Sequence, residues 1–184
     1  MADLILAGSV SGTVTLSAPS SAGTVTVTLP AQTGTMLTTA STFAGTGPAF
    51  SAYANAAQSV TSNVDTKVLF GVETFDTNGD FTSSRFTPTV AGYYQLNTTV
   101  RFGGTSPSQY IVYIFKNGSQ FAILSLVNAN LGSPVLISGS VIALANGTTD
   151  YFEVYENITA TSPTVGAGGP SNSNTFSGAL VRSA

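Results

Sequence analysis

Two acidic segments are the chain's first candidates for chemistry. Asp76-Thr77-Asn78-Gly79-Asp80 offers oxygen ligands at a spacing that suggests calcium. A full EF-hand loop would need Gly where Phe81 stands and Glu where Thr87 stands, so the segment reads as a turn instead. Glu153 and Glu156 could supply the paired acids of a hydrolase, but three apart on one strand they point to opposite faces. There is no His and no Cys, so no Ser or Thr has an evident base, and thiolate metal sites and disulfides are excluded. The residues predict no enzyme and no resident cofactor.

Binding chemistry is equally sparse. Lys67, Arg85, Arg101, Lys116 and Arg182 are the only cations, none close to another in sequence, and the net charge is −3. No phosphate-binding stripe exists, so nucleic acid is not an expected partner. Tyr53, Tyr93, Tyr110, Tyr113, Tyr151 and Tyr155 could stack on sugars, but at strand spacing they read first as core or interface residues. Asn97, Asn117, Asn146 and Asn157 each begin an Asn-x-Ser/Thr triplet; two of them are Asn-Gly turns, and turn chemistry explains those better than glycosylation. The opening MADLILAGSVSG has no basic segment and a short apolar run, a poor signal peptide, and no stretch is apolar enough to span a membrane.

The elements that would position these residues fall into two regions. Over residues 1–45, Gly-Thr recurs at Gly12, Gly23, Gly34 and Gly45, a spacing of eleven each time. Between these pairs Val14, Leu16, Val25, Val27 and Leu29 alternate with Thr, the period-2 sign of strands with one apolar face, and Pro19 and Pro30 close them. Units this small cannot bury that face alone, so these five side chains are expected to anchor the arm against sister arms or a larger surface.

Residues 46–184 carry nearly all the aromatics of a chain that is only 7% charged, against roughly 25% in an average globular protein. Gln109–Phe115 is apolar at almost every position and reads as a central strand buried on both faces. Val135–Leu144 reads as a second strand, and Asp150–Glu156 as a third, half-exposed one. Asn78-Gly79, Asn117-Gly118 and Asn146-Gly147 suggest type I′ hairpin turns. Ile158–Asn174 reads as a long Gly/Pro/Ser loop, of the kind that carries function or moves. Many short strands between sharp turns point to an all-β antiparallel sandwich or jelly roll.

Taken in order, Pro48–Tyr53, Thr66–Phe81, Arg85–Leu96, Tyr110–Gly118, Ser138–Tyr155 and Asn174–Val181 resemble successive segments of the globular domain shared by C1q and tumour-necrosis-factor-like proteins. The closest agreement is Phe86, Gly92 and Tyr94 in RFTPTVAGYYQL. The resemblance implies a jelly-roll β-sandwich assembled as a three-fold homotrimer. It assigns Phe50, Tyr53, Phe86, Gly92, Tyr94, Phe176, Gly178 and Leu180 to the core or the trimer interface. It also keeps calcium open, with Asp65, Asp76, Asp80 and Asp150 the available ligands.

The arm, Gly12–Thr39, is similar to Gly-Thr-rich segments near the starts of bacteriophage virion proteins. The two resemblances imply a virion structural protein made in the host cytoplasm: a capsid decoration (cement) protein or head fibre, with its arm on the capsid and its knob projecting. A receptor-binding tail fibre that touches a host surface glycan is the second reading, and a cellular C1q-like recognition module the third. An arm this short favours the stubby appendage.

Overall fold

The computed structural model describes residues 4–7, 13–16, 47–166 and 173–184. The chain divides into two compact units, Met1–Thr38 and Thr39–Ala184. In the first, β1 (Leu4–Ala7) and β2 (Thr13–Leu16) form an antiparallel hairpin with Leu4 opposite Leu16 and Leu6 opposite Val14. Val14 and Leu16 thus stand on β2, while Val25, Val27 and Leu29 lie outside the described residues.

The second unit is an all-β antiparallel sandwich with no helix among its described residues. Its strands are β3 (Ala49–Tyr53), β4 (Gln58–Ser59), β5 (Thr66–Lys67), β6 (Val72–Asp76), β7 (Phe81–Thr82), β8 (Arg85–Phe86), β9 (Gly92–Lys116), β10 (Ser119–Val127), β11 (Val135–Ala145), β12 (Phe152–Val165) and β13 (Thr175–Ser183). The 25-residue β9 belongs to both layers. Its first half lies between β11 and β13, and its second half between β10 and β12. The change falls near Gly104 and Ser106, whose φ angles of +148° and +48° let the strand bend between layers. One layer therefore runs β6-β3-β13-β9-β11, and the other runs β10-β9-β12-β8-β7 with β4 and β5 also on β12.

Period-2 alternation fills the space between the layers. Tyr94, Leu96, Val100 and Phe102 of β9 point inward and are fully buried. They meet a cluster of rings in which Phe50 stacks on Phe81 at 4.9 Å and on Phe86 at 4.3 Å, with Phe176 edge-on to Phe50. Offset and edge-to-face contacts of this kind add to the burial of the rings themselves. Gly178 belongs to the same packing: a Cβ there would stand 2.8 Å from both Leu96 Cδ2 and Phe50 Cε1. Only glycine lets β13 lie this close to β9 and β3.

Within Gln109–Phe115, positions 110–114 are buried on both faces, as the nearly continuous apolar run implies. Asp150–Glu156 differs from expectation. Glu153 and Glu156 are 2% and 0% exposed, so this strand is covered on both sides. Glu153 tolerates burial because Lys67 Nζ and Arg85 Nε lie 2.7 and 2.9 Å from its Oε1. The long loop is also shorter than expected, since β12 continues to Val165 and its Ile158–Val165 part pairs with β9 and β4. Positions 167–172 of that expected loop lie outside the described residues.

Of the three Asn-Gly pairs, only Asn117-Gly118 has two positive φ angles, +54° and +78°, and joins β9 to β10 as a tight hairpin. The other two pairs use side-chain turns instead. Asp76 accepts from the backbone N of Asn78, Gly79 and Phe81, and Asn146 Oδ1 accepts from the N of Thr148, Thr149 and Asp150. The carboxamide or carboxylate takes the role of a turn carbonyl, so positive φ is needed only at Gly79 and Gly147.

Candidate interaction surface

Seven of the eight residues assigned to core or interface turn inward. Phe50, Phe86, Tyr94 and Phe176 are buried side chains, Gly92 and Gly178 are buried glycines, and Leu180 packs against the core from a partly buried position. Tyr53, on β3, stands on the opposite face of its sheet and is half-buried. That outer face carries part of the knob's exposed apolar surface.

The face is built by register. Across β3, β13, β9 and β11, the rows Tyr53–Thr175–Thr99–Ser138, Ser51–Ser177–Asn97–Ser140 and Ala49–Ala179–Gln95–Ile142 lie side by side. Leu144 beside Tyr93, and Leu136 beside Arg101, extend the face at its two ends. The middle is therefore small and uncharged, and its margins are large and apolar. Phe75, Tyr93, Leu136, Ile142, Leu144 and Val181 are each between 41% and 60% exposed. Ala49, Phe75, Gln95, Asn97, Ser177 and Ala179 border a shallow depression of about 220 Å³ in the middle of the face. Arg101 and Arg182 are its only cations, and no carboxylate interrupts it along β3, β13, β9 or β11.

Five of the described carboxylates lie off these strands and are used internally, whereas Glu73 of β6 is exposed. Besides the turn made by Asp76, Asp80 accepts from Thr89 N at 3.1 Å and Asp65 from Asn157 Nδ2 at 2.7 Å. Asp150 accepts from Asn117 Nδ2 and Asn146 N, and pairs with Lys116 at 2.9 Å. Among the described residues no three His, Cys, Asp or Glu side chains gather where they could hold a metal ion. Glu153 and Glu156 are brought to opposite faces of β12, since Glu153 pairs in register with Phe115 and Glu156 with Val112.

The tyrosines are mostly engaged. Tyr110 and Tyr113 are buried, Tyr155 stacks on Phe115 at 4.0 Å, and the Arg85 guanidinium lies 3.9 Å over the Tyr151 ring. Tyr94 donates to Val90 O at 2.7 Å, and burial together with the Asp80 charge pushes its phenol up to about 12. Tyr93 alone presents a largely open ring, and it does so on the outer face.

The sequence pointed to the strands of this face but not to the side chains that make it. The signal was the even-numbered series Leu136, Ile142 and Leu144 within Val135–Leu144, hidden by an equally apolar odd-numbered series.

Comparison with known proteins bears on the fold. No family model and no curated protein matches the chain. Among solved structures, the crystal structure of murine APRIL at pH 8.0 matches with a TM-score of 0.52 at 8% identity. That of murine APRIL at pH 5.0 matches with a TM-score of 0.53 at 9% identity. Each match covers 73% of this chain and 99% of that chain. The fold is a jelly roll of the tumour-necrosis-factor type.

Proposed function

We propose that this chain is a non-enzymatic structural protein of a bacteriophage virion, a homotrimeric capsid decoration protein or head fibre whose arm anchors to the particle while its knob projects. The observation that carries the reading is the sheet face over β3, β13, β9 and β11, free of carboxylates along these strands, with a small uncharged middle and large apolar side chains at its margins. Exposed apolar surface of this extent on one face marks an interaction site. Its small-residue centre and bulky margins suit a second copy packed off-centre, the heterologous contact from which a closed ring is built. Covering the remaining exposed area of six large side chains contributes roughly 1 kcal/mol each before ordering costs. The three-fold order follows from the resemblance to C1q and tumour-necrosis-factor-like domains, and the virion setting from the arm's resemblance to phage proteins. The absence of His and Cys supports a passive role.

Sedimentation equilibrium of the full chain is expected to give three times the monomer mass. Ile142→Asp combined with Leu144→Asp should yield a folded monomer, because each places an unpaired charge in the contact. A wild-type monomer at micromolar concentration, or a double variant that remains trimeric, refutes this interface. Antibody labelling of particles in the electron microscope tests the setting: label over the head supports decoration, and label confined to the tail assigns the knob to host attachment.

A further inference from the structure

We propose that the knob folds around a protonated, neutral Glu156, so that folding takes up a proton at this core carboxyl and the knob loses stability as the solution goes from acid to neutral and mildly alkaline. Along β12, Phe152, Val154, Glu156 and Ile158 alternate toward the core, and each is 0% exposed. Glu156 stands where the pattern calls for an aliphatic side chain, opposite Val112 of β9 and Thr66 of β5. Both of its carboxyl oxygens are buried, and neither has a hydrogen-bond partner among the described residues. An ionised carboxylate there would have neither water nor a donor, a far larger penalty than the neutral acid bears.

No cation is placed to relieve it, and all five are accounted for. Lys67 and Arg85 bind Glu153 on the other face of β12. Lys116 binds Asp150 and the Leu144 carbonyl. Arg101 and Arg182 belong to the outer face of the opposite layer, beside Leu136 and Tyr93. The titratable groups that bear on Glu156 are Asp65, which precedes β5, and Tyr113 of β9; neither can supply positive charge. Asn157, next on its own strand, gives its amide to Asp65. Burial first, and then the Asp65 charge, push the Glu156 carboxyl up to about 8.

The direction of the linkage follows. An acid whose folded pKa lies above its unfolded value of 4.5 destabilises the fold progressively as pH rises from there to about 8, after which the loss is complete. Near pH 7 the protonated form outnumbers the ionised form by about ten to one.

The test uses the full chain. With ¹³C-labelled glutamate, the infrared carbonyl band of a protonated glutamic acid should be present at pH 7, fade as pH rises past 8, and be missing from Glu156→Gln. Glu73 and Glu153 are present in both proteins, so loss of the band in Glu156→Gln assigns it to Glu156. The wild-type unfolding midpoint should fall between pH 5 and pH 8, and that of Glu156→Gln should fall by less. Absence of the band at pH 7, or parallel midpoint profiles, overturns the proposal. Should the Gln variant not fold, the wild-type band and its titration decide alone.

Discussion

Asp150 ties together two turns that the sequence separates. Its Oδ1 accepts from Asn117 Nδ2 at 2.7 Å, and its Oδ2 accepts from Asn146 N at 2.9 Å with Lys116 Nζ at 2.9 Å. The β9–β10 turn and the β11–β12 loop are thus closed by one carboxylate. Those donors, the Asn117 amide foremost, hold it below its ordinary value of 3.8. A depressed acid stabilises the fold above its unfolded pKa, and that contribution is lost as pH falls through the folded one. Asp150→Asn should therefore cost about 1–3 kcal/mol at pH 7, the usual worth of a charged hydrogen-bond hub. The gap between variant and wild-type urea midpoints should narrow as pH drops below 3.8. A gap that stays constant would assign the loss to packing and not to charge. In the sequence this residue could be read only as a possible calcium ligand, because its partner Asn117 is 33 positions away and nothing local joins them.

At the level of elements, no sequence signal announced the β7–β8 hairpin. Ser83 and Ser84 both take positive φ, +51° and +59°, the pair of angles that Asn-Gly would supply at lower cost. Their tertiary bonds hold them there. Ser83 O accepts from Lys67 Nζ at 2.8 Å, and Ser84 Oγ accepts from Phe70 N at 2.8 Å. The two positions should respond differently to glycine. Ser83→Gly keeps its backbone acceptor and relieves strain, so it should stabilise the knob by about 0.5–1 kcal/mol. Ser84→Gly gains the same relief but strands the buried Phe70 amide, and should be neutral or destabilising. Thermal unfolding of the two variants side by side checks this, and equal shifts would show that the Phe70 bond contributes nothing. The long β9 shows a related limit. Its two halves were legible as RFTPTVAGYYQL and QYIVYIF, but Gly103-Gly104 and Pro107 between them look like a loop. They are a bend inside a continuous strand, which only pairing with β12 on both sides of it defines.

At the scale of the whole molecule, the fold class was legible because alternation, turn chemistry and low charge all agree on a sandwich. The exposed apolar face was not. In β11 the odd series Val135, Ile137, Val141 and Ala143 and the even series Leu136, Ile142 and Leu144 are both apolar, so parity alone cannot say which meets the core. Pairing with β9 decides it, setting Ala143 beside the buried Tyr94 and Leu144 beside the open Tyr93. The same reasoning underlies the division of roles proposed for the two units. The knob has its own closed core, whereas Val14, Leu16, Val25, Val27 and Leu29 of the arm alternate with Thr in units too short to bury one apolar face by themselves. In the proposed virion setting, burying those five against a particle would contribute roughly 1.5–3 kcal/mol each before ordering costs. Three arms on one trimer would add through effective concentration, so a weak single arm suffices for lasting attachment. Deleting residues 1–45 is therefore expected to leave a folded, trimeric knob that no longer binds particles stripped of the native protein. Val25→Asp combined with Val27→Asp should weaken attachment while leaving the knob's melting temperature unchanged. Binding of the arm-less knob at full occupancy would move the anchoring role to the knob itself and leave the arm without the function proposed for it.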